Sequence, residues 1–190
     1  MRLVLATRNA HKVRELGELL PGYAIVPLAA DVVLPPETGS TFAENALGKA
    51  RAAAAATGQP AIADDSGICV AALGGAPGVR SARWAGEDAT DADNLRLLLT
   101  SVPDGADLEY VCAIAFVDPG DGREETFEGR CAGVMTTAPR GTGGFGYDPA
   151  FVPVDESGGR TMAELSSAEK DAISHRGRAA RALLSWLTTH

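Results

Sequence analysis

Two cations, Arg8 and Lys12, stand close together in the stretch TRNAHK, which directly follows the apolar run LVLA. A strand that runs through such a turn into a helix leaves the first backbone N–H groups of the helix without partners, and these groups form a natural anion site. Thr7 and Asn9 add short polar side chains, and Lys12 adds a point charge one turn into the helix. The pattern predicts a site for a negatively charged ligand, although an ordinary turn with a solvated lysine would have the same residues.

Two adjacent carboxylates, Asp64 and Asp65, follow the apolar residues of PAIADDSG. Carboxylates at the end of an apolar strand are costly unless they meet a cation, hydrogen-bond donors or water. In an extended chain their side chains point to opposite faces, so only one of them would face a given ligand. The pair predicts either a cap for the turn at Ser66 or a Mg²⁺ site in which one carboxylate also acts as a base.

A magnesium site needs further oxygen ligands, and Glu37 and Glu44 are the nearby candidates. Thr41 and Glu44 have the spacing of a capping box at the start of a helix, which gives Glu44 a local role. Glu37 lies in the connector LPPETGS and has no such role. We therefore expect Glu37 to be the metal ligand.

Three glycines of the stretch GTGGFGYDP fit the pattern G-x-G-x-x-G. No clear strand precedes them and no helix follows, so a dinucleotide-binding turn is not expected here. The remaining interpretation is a glycine-rich loop that presents Phe145 and Tyr147 to a base and Asp148 to a sugar or base edge. A packed surface loop with a buried Phe145 is the alternative.

Three more donors, Lys170, His175 and Arg176, lie in the stretch SSAEKDAISHRGR. At about 100° per residue, one continuous helix would not gather all three on one side. They can act together only if the helix breaks near Ser174, which could then cap a final helix that begins at His175. A solvated helix face is the other explanation for such a run.

The elements that position these residues alternate between strand and helix in the first half of the chain. We expect strands in RLVLA, YAIVPL and AIADDSGICVAAL, the last of which should break at the acidic pair. We expect helices in NAHKVRELGELL, from Thr41 to Thr57 and from Thr90. Two later strands, DLEYVCAIAFVD and REETFEGRCAGVM, are joined through PGDG, a strong hairpin signal, and the C-terminal segment is helical. The pattern predicts an α/β fold with a partly antiparallel sheet.

Composition limits the classes of partner. The 190 residues, 45% of them hydrophobic, suit one domain with one sizeable core, and the formal net charge of −8 argues against binding nucleic acid or an anionic membrane. No apolar run reaches the roughly 20 residues of a membrane helix, and the start lacks the pattern of a signal peptide, so we expect a cytoplasmic protein.

The three cysteines, Cys69, Cys112 and Cys131, have no metal-ligand spacing and sit among apolar residues. We expect reduced, buried thiols. A symmetric register of the predicted hairpin would set Cys112 opposite Cys131, which leaves a disulfide there as the less favoured alternative.

Taken together, the motifs resemble those of the inosine/xanthosine triphosphate pyrophosphatases, which hydrolyse non-canonical purine nucleoside triphosphates such as ITP, dITP and XTP to the monophosphate and pyrophosphate. The matching stretches are ATRNAHK, ETGSTFAENA, AIADDSG, GGAPGVRSARWAGEDATD, GTGGFGYDP and EKDAISHRG, in the family's order. The resemblance implies a single nucleotide pyrophosphatase domain over residues 1–190, with an elongated mixed sheet, flanking helices and two lobes around a central nucleotide cleft. It also implies a Mg²⁺ requirement and a homodimer.

The resemblance also implies roles for particular residues. Asp65 would be the proton acceptor and a metal ligand, with Glu37 as a second ligand. The triphosphate would be cradled by Thr7, Arg8, Asn9, Ala10, His11 and Lys12. The rest of the substrate would be contacted by Ser66, Phe145, Gly146, Tyr147, Asp148 and Lys170, and the base would be read by His175 and Arg176.

One position departs from the family pattern, which usually has Gly where this chain has Arg8. Gly permits a positive φ and a close backbone approach, whereas Arg prefers ordinary dihedrals, so we expect the loop geometry to differ. Two other functions fit the motifs less well. One is a pyrophosphatase for pyrimidine or modified triphosphates, and the other is a non-catalytic nucleotide-binding regulator.

Overall fold

The apolar runs of the sequence form the strands of one mixed sheet in the computed structural model, which describes residues 1–189. His190, the last residue of the expected domain, lies outside the described residues. In chain order the helices and strands are β1 (Arg2–Leu5), α1 (Ala10–Leu19), β2 (Ala24–Pro27), α2 (Phe42–Thr57), β3 (Ala61–Val70), α3 (Asp91–Ser101), β4 (Asp107–Val117), β5 (Glu124–Met135), β6 (Phe151–Pro153), α4 (Ser167–Ile173) and α5 (His175–Leu187). Short 3₁₀ helices span Ala71–Leu73, Gly78–Arg83, Asp148–Ala150 and Met162–Glu164.

The sheet has six strands in the order β2-β1-β3-β4-β5-β6. The β1 strand lies between β2 and β3 and pairs in parallel with both, whereas β5 and β6 pair antiparallel. The β4 and β5 strands are joined by a tight turn in which the backbone N–H of Gly122 donates to the carbonyl of Asp118. The expected α/β fold with a mixed sheet and flanking helices is confirmed.

Side-chain caps fix where the helices begin. Thr41 accepts from the backbone N–H of Glu44 at 3.1 Å, and Glu44 accepts from that of Thr41 at 3.2 Å, which completes the predicted capping box of α2. Gly58 ends α2 at a φ of 63°, in the left-handed region that suits glycine. Ser174 is extended between α4 and α5, so the predicted break in the C-terminal helical segment is confirmed.

The third strand differs from the sequence-based expectation. We expected it to break at the acidic pair, but β3 continues from Ala61 to Val70 through Asp64 and Asp65. Aspartate is a poor strand former because its side chain competes for backbone hydrogen bonds. Ion pairs with distant lysine and arginine side chains, described below, hold both carboxylates in place and outweigh that preference.

The chain divides into two compact units, each with its own core. Unit 1 contains residues 1–65, 112–129 and the chain from 176 onward, and its core includes Leu3, Leu5, Leu16, Ile62, Ile114 and Leu183. Unit 2 contains residues 66–111 and 130–175, and its core includes Ile68, Leu98, Tyr110, Met135, Phe151 and Met162. The strands β3, β4 and β5 each pass from one unit into the other.

The three cysteines remain thiols, as expected. Cys112 and Cys131 are buried, whereas Cys69 is only half-buried, and no disulfide joins any two of them. None of the helices in residues 1–189 has both the length and the apolar character that crossing a membrane requires.

Candidate active site

The turn after β1 is held together by the side chain of Asn9, which caps α1. Asn9 Oδ1 accepts from the backbone N–H groups of His11 at 2.9 Å and Lys12 at 3.3 Å, and Thr7 Oγ1 accepts from that of Asn9 at 3.2 Å. We expected these first helical N–H groups to lack partners, and for His11 and Lys12 that expectation is wrong, because the Asn9 cap satisfies them.

Arg8 points its guanidinium at the loop that follows β2. Its Nη2 atom donates to the carbonyl of Val32 at 2.8 Å and to that of Ala30 at 3.2 Å. No residue other than glycine among residues 1–189 has a positive φ, so Arg8 keeps ordinary dihedrals. The Arg8 side chain therefore ties the first turn to a second loop.

Asp64 lies at the centre of a buried ionic network in unit 1. Its carboxylate is fully buried, 3.0 Å from Lys12 Nζ and 3.0 Å from Arg176 Nη2. Arg176 Nη1 also donates to Glu15 Oε2 at 2.6 Å. Burial alone would raise the pKa of Asp64, but Lys12, Arg176 and Lys49 together hold it well below its usual range.

Asp65 belongs to a second cluster, built around the ammonium group of Lys49. Lys49 Nζ donates to Glu37 Oε1 at 2.6 Å and to the backbone carbonyl of Asp64 at 2.8 Å, and it lies 3.8 Å from Asp65 Oδ1. Asn45 Nδ2 donates to Asp65 Oδ2 at 2.9 Å. The adjacent aspartates thus meet different partners, as expected for side chains that alternate along a strand.

The electrostatics of this second cluster follow from burial and close charges. Burial raises the pKa of Asp65; Lys49 opposes the rise and Glu37 adds to it. Burial would lower the pKa of Lys49, but the carboxylates of Asp65, Asp64 and Glu37 together raise it. Asn45 and Lys49 also line a cavity of about 290 Å³ with Pro35, Pro36, Thr38, Gly39, Glu44 and Gly48.

The donor set suits a hard cation. Among residues 1–189, no three His, Cys, Asp or Glu side chains form a ready-made metal site. Mg²⁺ in nucleotide enzymes is commonly held by one or two carboxylates together with substrate phosphates, and Glu37 and Asp65 supply two such carboxylates around one existing cation. The Glu44 carboxylate accepts hydrogen bonds in the capping box of α2. This local role is the reason that we expected Glu37, and not Glu44, as the metal ligand.

Unit 2 contains the loop GTGGFGYDP, in which Asp148 is 3% exposed and holds several groups at once. Its Oδ2 atom accepts from Lys170 Nζ at 2.8 Å and from the backbone N–H of Phe145 at 2.9 Å, and its Oδ1 atom accepts from Tyr110 Oη at 3.0 Å. Lys170 Nζ also lies 5.1 Å from the centre of the Phe145 ring. The sequence predicted that Asp148 faces the substrate, whereas its contacts here lie within the protein.

The other expected residues of unit 2 differ in exposure. Tyr147 is buried, with its hydroxyl donating to the carbonyl of Ser81 at 2.7 Å, and the backbone N–H of Gly146 donates to Asp91 Oδ2 at 3.1 Å. Phe145, Gly146 and Ser66 are half-buried. The imidazole of His175 is buried and stacks on Tyr110, with ring centres 4.6 Å apart.

Within unit 1 the structure gathers Lys12, Asp64 and Arg176, and separately Glu37 and Asp65. Within unit 2 it gathers Phe145, Asp148, Lys170 and, through Tyr110, His175. Sequence reasoning missed Glu15, Asn45, Lys49 and Tyr110. A signal existed for two of these, because Asn45 and Lys49 are four residues apart on the Ala-rich face of α2 that is buried.

Comparison with known proteins gives the family. A model of the Ham1 family matches residues 3–186. This chain belongs to the Ham1 family. A protein of Streptomyces coelicolor named dITP/XTP pyrophosphatase is 52% identical, over 96% of this chain and 95% of that protein, and one of the same name from Symbiobacterium thermophilum is 56% identical, over 94% and 90%.

A solved structure supports the same membership. The HAM1 protein of Coxiella burnetii is 43% identical and covers 100% of both chains, with a TM-score of 0.88. The resemblance to the triphosphate pyrophosphatases that the motifs suggested is therefore confirmed.

Proposed function

We propose that this Ham1 protein is a dITP/XTP pyrophosphatase that hydrolyses dITP, ITP and XTP to the nucleoside monophosphate and pyrophosphate, and so removes non-canonical purines from the nucleotide pool. Its relatives of 52% and 56% identity carry that name. The structural observation that carries the proposal is the arrangement of Glu37 and Asp65 around one ammonium group, Lys49. Two carboxylates held around one cation suit metal-assisted phosphate chemistry.

The charge balance of the two clusters in unit 1 supports a requirement for a metal ion. The two clusters contain three cations, Lys12, Lys49 and Arg176, and four carboxylates, Glu15, Glu37, Asp64 and Asp65. Their formal balance is one negative charge, which would repel a triphosphate. We assign Mg²⁺ as the cation and Glu37 and Asp65 as its protein ligands. When bound, the cation supplies Lewis-acid stabilisation of the charge on the phosphate oxygens.

The side chains perform the remaining steps. Asp65 accepts a proton from a water molecule, whose oxygen attacks the α-phosphorus in line while the bond to the departing pyrophosphate breaks. Asn45 fixes the Asp65 carboxylate through its hydrogen bond. The turn of Thr7, Arg8, Asn9, Ala10, His11 and Lys12 binds the triphosphate.

The nucleoside is bound by Ser66, Phe145, Gly146, Tyr147, Asp148 and Lys170, and the base is read by His175 and Arg176. Hypoxanthine and xanthine carry a carbonyl at C6, where adenine carries an amino group. Side chains that only donate, such as Arg176, therefore favour the first two bases. Arg176 donates to Asp64 and Glu15, which fixes the direction of its guanidinium.

We further propose that both units work as one domain, that the enzyme is a cytoplasmic homodimer and that it binds neither nucleic acid nor membrane. The net charge of −8 supports the last point. Light scattering of the purified protein tests the dimer, with twice the mass of 19.5 kDa expected.

The test of the function is the product formed from ITP, dITP or XTP with Mg²⁺. Release of pyrophosphate and monophosphate supports the proposal, whereas orthophosphate contradicts it. A regulator would bind the nucleotide and release neither product. Turnover of ATP, GTP and pyrimidine triphosphates in the same assay tests base choice, and equal turnover of ATP and ITP would contradict the donor argument.

A further inference from the structure

Tyr110 is the middle member of a three-ring stack in unit 2. Its ring lies 4.3 Å from that of Phe151, at an angle of 26°, and 4.6 Å from the imidazole of His175, at an angle of 15°. Two nearly parallel rings at these distances must lie on opposite faces of Tyr110, since on one face they would overlap. Tyr110 is 5% exposed and therefore has little freedom to move.

The far side of the stack rests on β5. A Cβ atom at Gly133 would lie 2.4 Å from Cε1 and 2.5 Å from Cζ of Phe151, so glycine at this position leaves the space that the Phe151 ring fills. Phe151 begins β6, and its partner in the antiparallel pair is Met135. The three-ring stack therefore fixes the position of the His175 ring relative to the backbone of β5, through Phe151 and Tyr110.

The hydroxyl group of Tyr110 makes a second connection. It donates to Asp148 Oδ1 at 3.0 Å, while Asp148 Oδ2 accepts from Lys170 Nζ and from the backbone N–H of Phe145. Burial and the neighbouring Asp148 raise the pKa of Tyr110 well above its ordinary value, which keeps the hydroxyl protonated as a donor. A single side chain therefore contacts His175 through its ring face and orients Lys170 through Asp148.

We propose that Tyr110 is a positioning residue for substrate recognition, which sets the ring plane of His175 by stacking and the place of the Lys170 ammonium through Asp148. Asp148, which the proposed function places at the nucleoside, links the Tyr110 hydroxyl to the Lys170 ammonium in this arrangement. This inference rests on the proposed function, in which His175 reads the base and Lys170 contacts the nucleotide. The two connections of Tyr110 can be removed separately.

Tyr110→Phe removes the hydroxyl and keeps the stack. Asp148 then loses one donor, the Lys170 ammonium is held less firmly, and the KM for dITP rises about tenfold with little change in kcat. The base preference, measured as the ratio of kcat/KM for dITP to that for dATP, stays the same because the imidazole plane is unchanged. The matched control is Tyr23→Phe, which removes a hydroxyl bonded to the carbonyl of Leu187 in unit 1 and leaves the KM unchanged.

Tyr110→Leu removes the stack as well. The preference for dITP over dATP then falls about tenfold, since the imidazole no longer has a fixed plane from which to discriminate the bases. Proton NMR provides a readout independent of activity, because the aromatic ring of Tyr110 shifts the imidazole resonances of His175. His175→Gln assigns these resonances. They stay in place in Tyr110→Phe and move in Tyr110→Leu.

The proposal is overturned if Tyr110→Phe has the wild-type KM for dITP. It is also overturned if the His175 resonances do not move in Tyr110→Leu. The first variant keeps the test valid if Tyr110→Leu does not fold, because Phe retains the packing of the ring. If the wild-type protein released no pyrophosphate from dITP or XTP, the proposed function would fail. The NMR comparison would still decide whether Tyr110 orients His175.

Discussion

Glu37 and Asp65 share one ammonium group, since Lys49 Nζ lies 2.6 Å from Glu37 Oε1 and 3.8 Å from Asp65 Oδ1. The same nitrogen donates to the carbonyl of Asp64. An internal cation therefore stabilises the two carboxylates that we assign to the metal. The arrangement implies that Lys49 and a divalent ion neutralise the same negative charges.

Lys49→Met should lower the free energy of unfolding by about 3 kcal/mol in the absence of metal, because it leaves the buried Asp65 and the half-buried Glu37 without their cation. Added Mg²⁺ should then raise the Tm of the variant more than that of the wild type, since the ion takes over the charge that the ammonium supplied. Thermal unfolding with EDTA and with Mg²⁺ measures both effects.

The matched control is Arg51→Met on the same helix. Arg51 pairs with Glu124 at the surface, with its side chain 56% exposed, so its loss should change stability little and leave the effect of Mg²⁺ as in the wild type. Equal Mg²⁺-induced shifts in Lys49→Met and in the wild type would show that the two cations do not share the carboxylates.

Glu169 gives a prediction about acid stability. Its carboxylate accepts from the hydroxyl and backbone N–H of Ser166 and pairs with Arg160, and these contacts lower its pKa from 4.5 to about 2. A pKa lowered by folding contributes stability that is present above 4.5 and is lost as the pH falls toward 2. The Tm of the wild type should therefore approach that of Glu169→Gln over this range. Parallel Tm curves for the two proteins would refute the lowered pKa.

Cys112 should resist thiol reagents in the folded protein. Burial raises the pKa of its thiol to about 12, with Asp64 adding to the rise, so little of the reactive thiolate is present at neutral pH. The half-buried Cys69 should be alkylated first, and Cys112 only after denaturation. Mass spectrometry of peptides after brief iodoacetamide treatment tests this order, and early labelling of Cys112 would contradict it.

Arg8→Gly should remove two hydrogen bonds to the loop after β2. The side chain is exposed, so the change in the free energy of unfolding should stay within about 0.5 kcal/mol. The loop around Ala30 and Val32 should be cleaved faster in limited proteolysis, because its tie to the first turn is gone. Arg8→Lys is the control for charge alone and should resemble the glycine variant. Cleavage at the wild-type rate in both would show that Arg8 does not hold the loop.

Local signals in the sequence sufficed for much of the fold. The capping box of Thr41 and Glu44, the turn between β4 and β5 and the helix break at Ser174 each depend on residues within a few positions of one another. Local propensity failed at Asp64, where the strand continues. The reason is distant, since Arg176 lies 112 positions away in the sequence and pairs with that carboxylate.

The candidate site was predictable in its residue types and less so in its pairings. Glu37 was chosen from the chemistry of carboxylates near a turn, and Asp65 was chosen over Asp64 from the family resemblance. The cation between them was not foreseen, because Lys49 lies in an Ala-rich helix that resembles ordinary core. Arg176 meets Glu15 across 161 positions, a contact that no local pattern encodes. Ion pairs of this kind require the folded chain.

The most direct test of the central claim is the rate of pyrophosphate release from dITP with Mg²⁺ in the wild type and in Asp65→Asn. Asn keeps the shape of the side chain and cannot accept the proton from water. With the fold verified by circular dichroism, the rate should fall by a factor of about 10²–10⁴, as expected for the loss of a general base. Pyrophosphate release at the wild-type rate would contradict the assignment of Asp65 as the base.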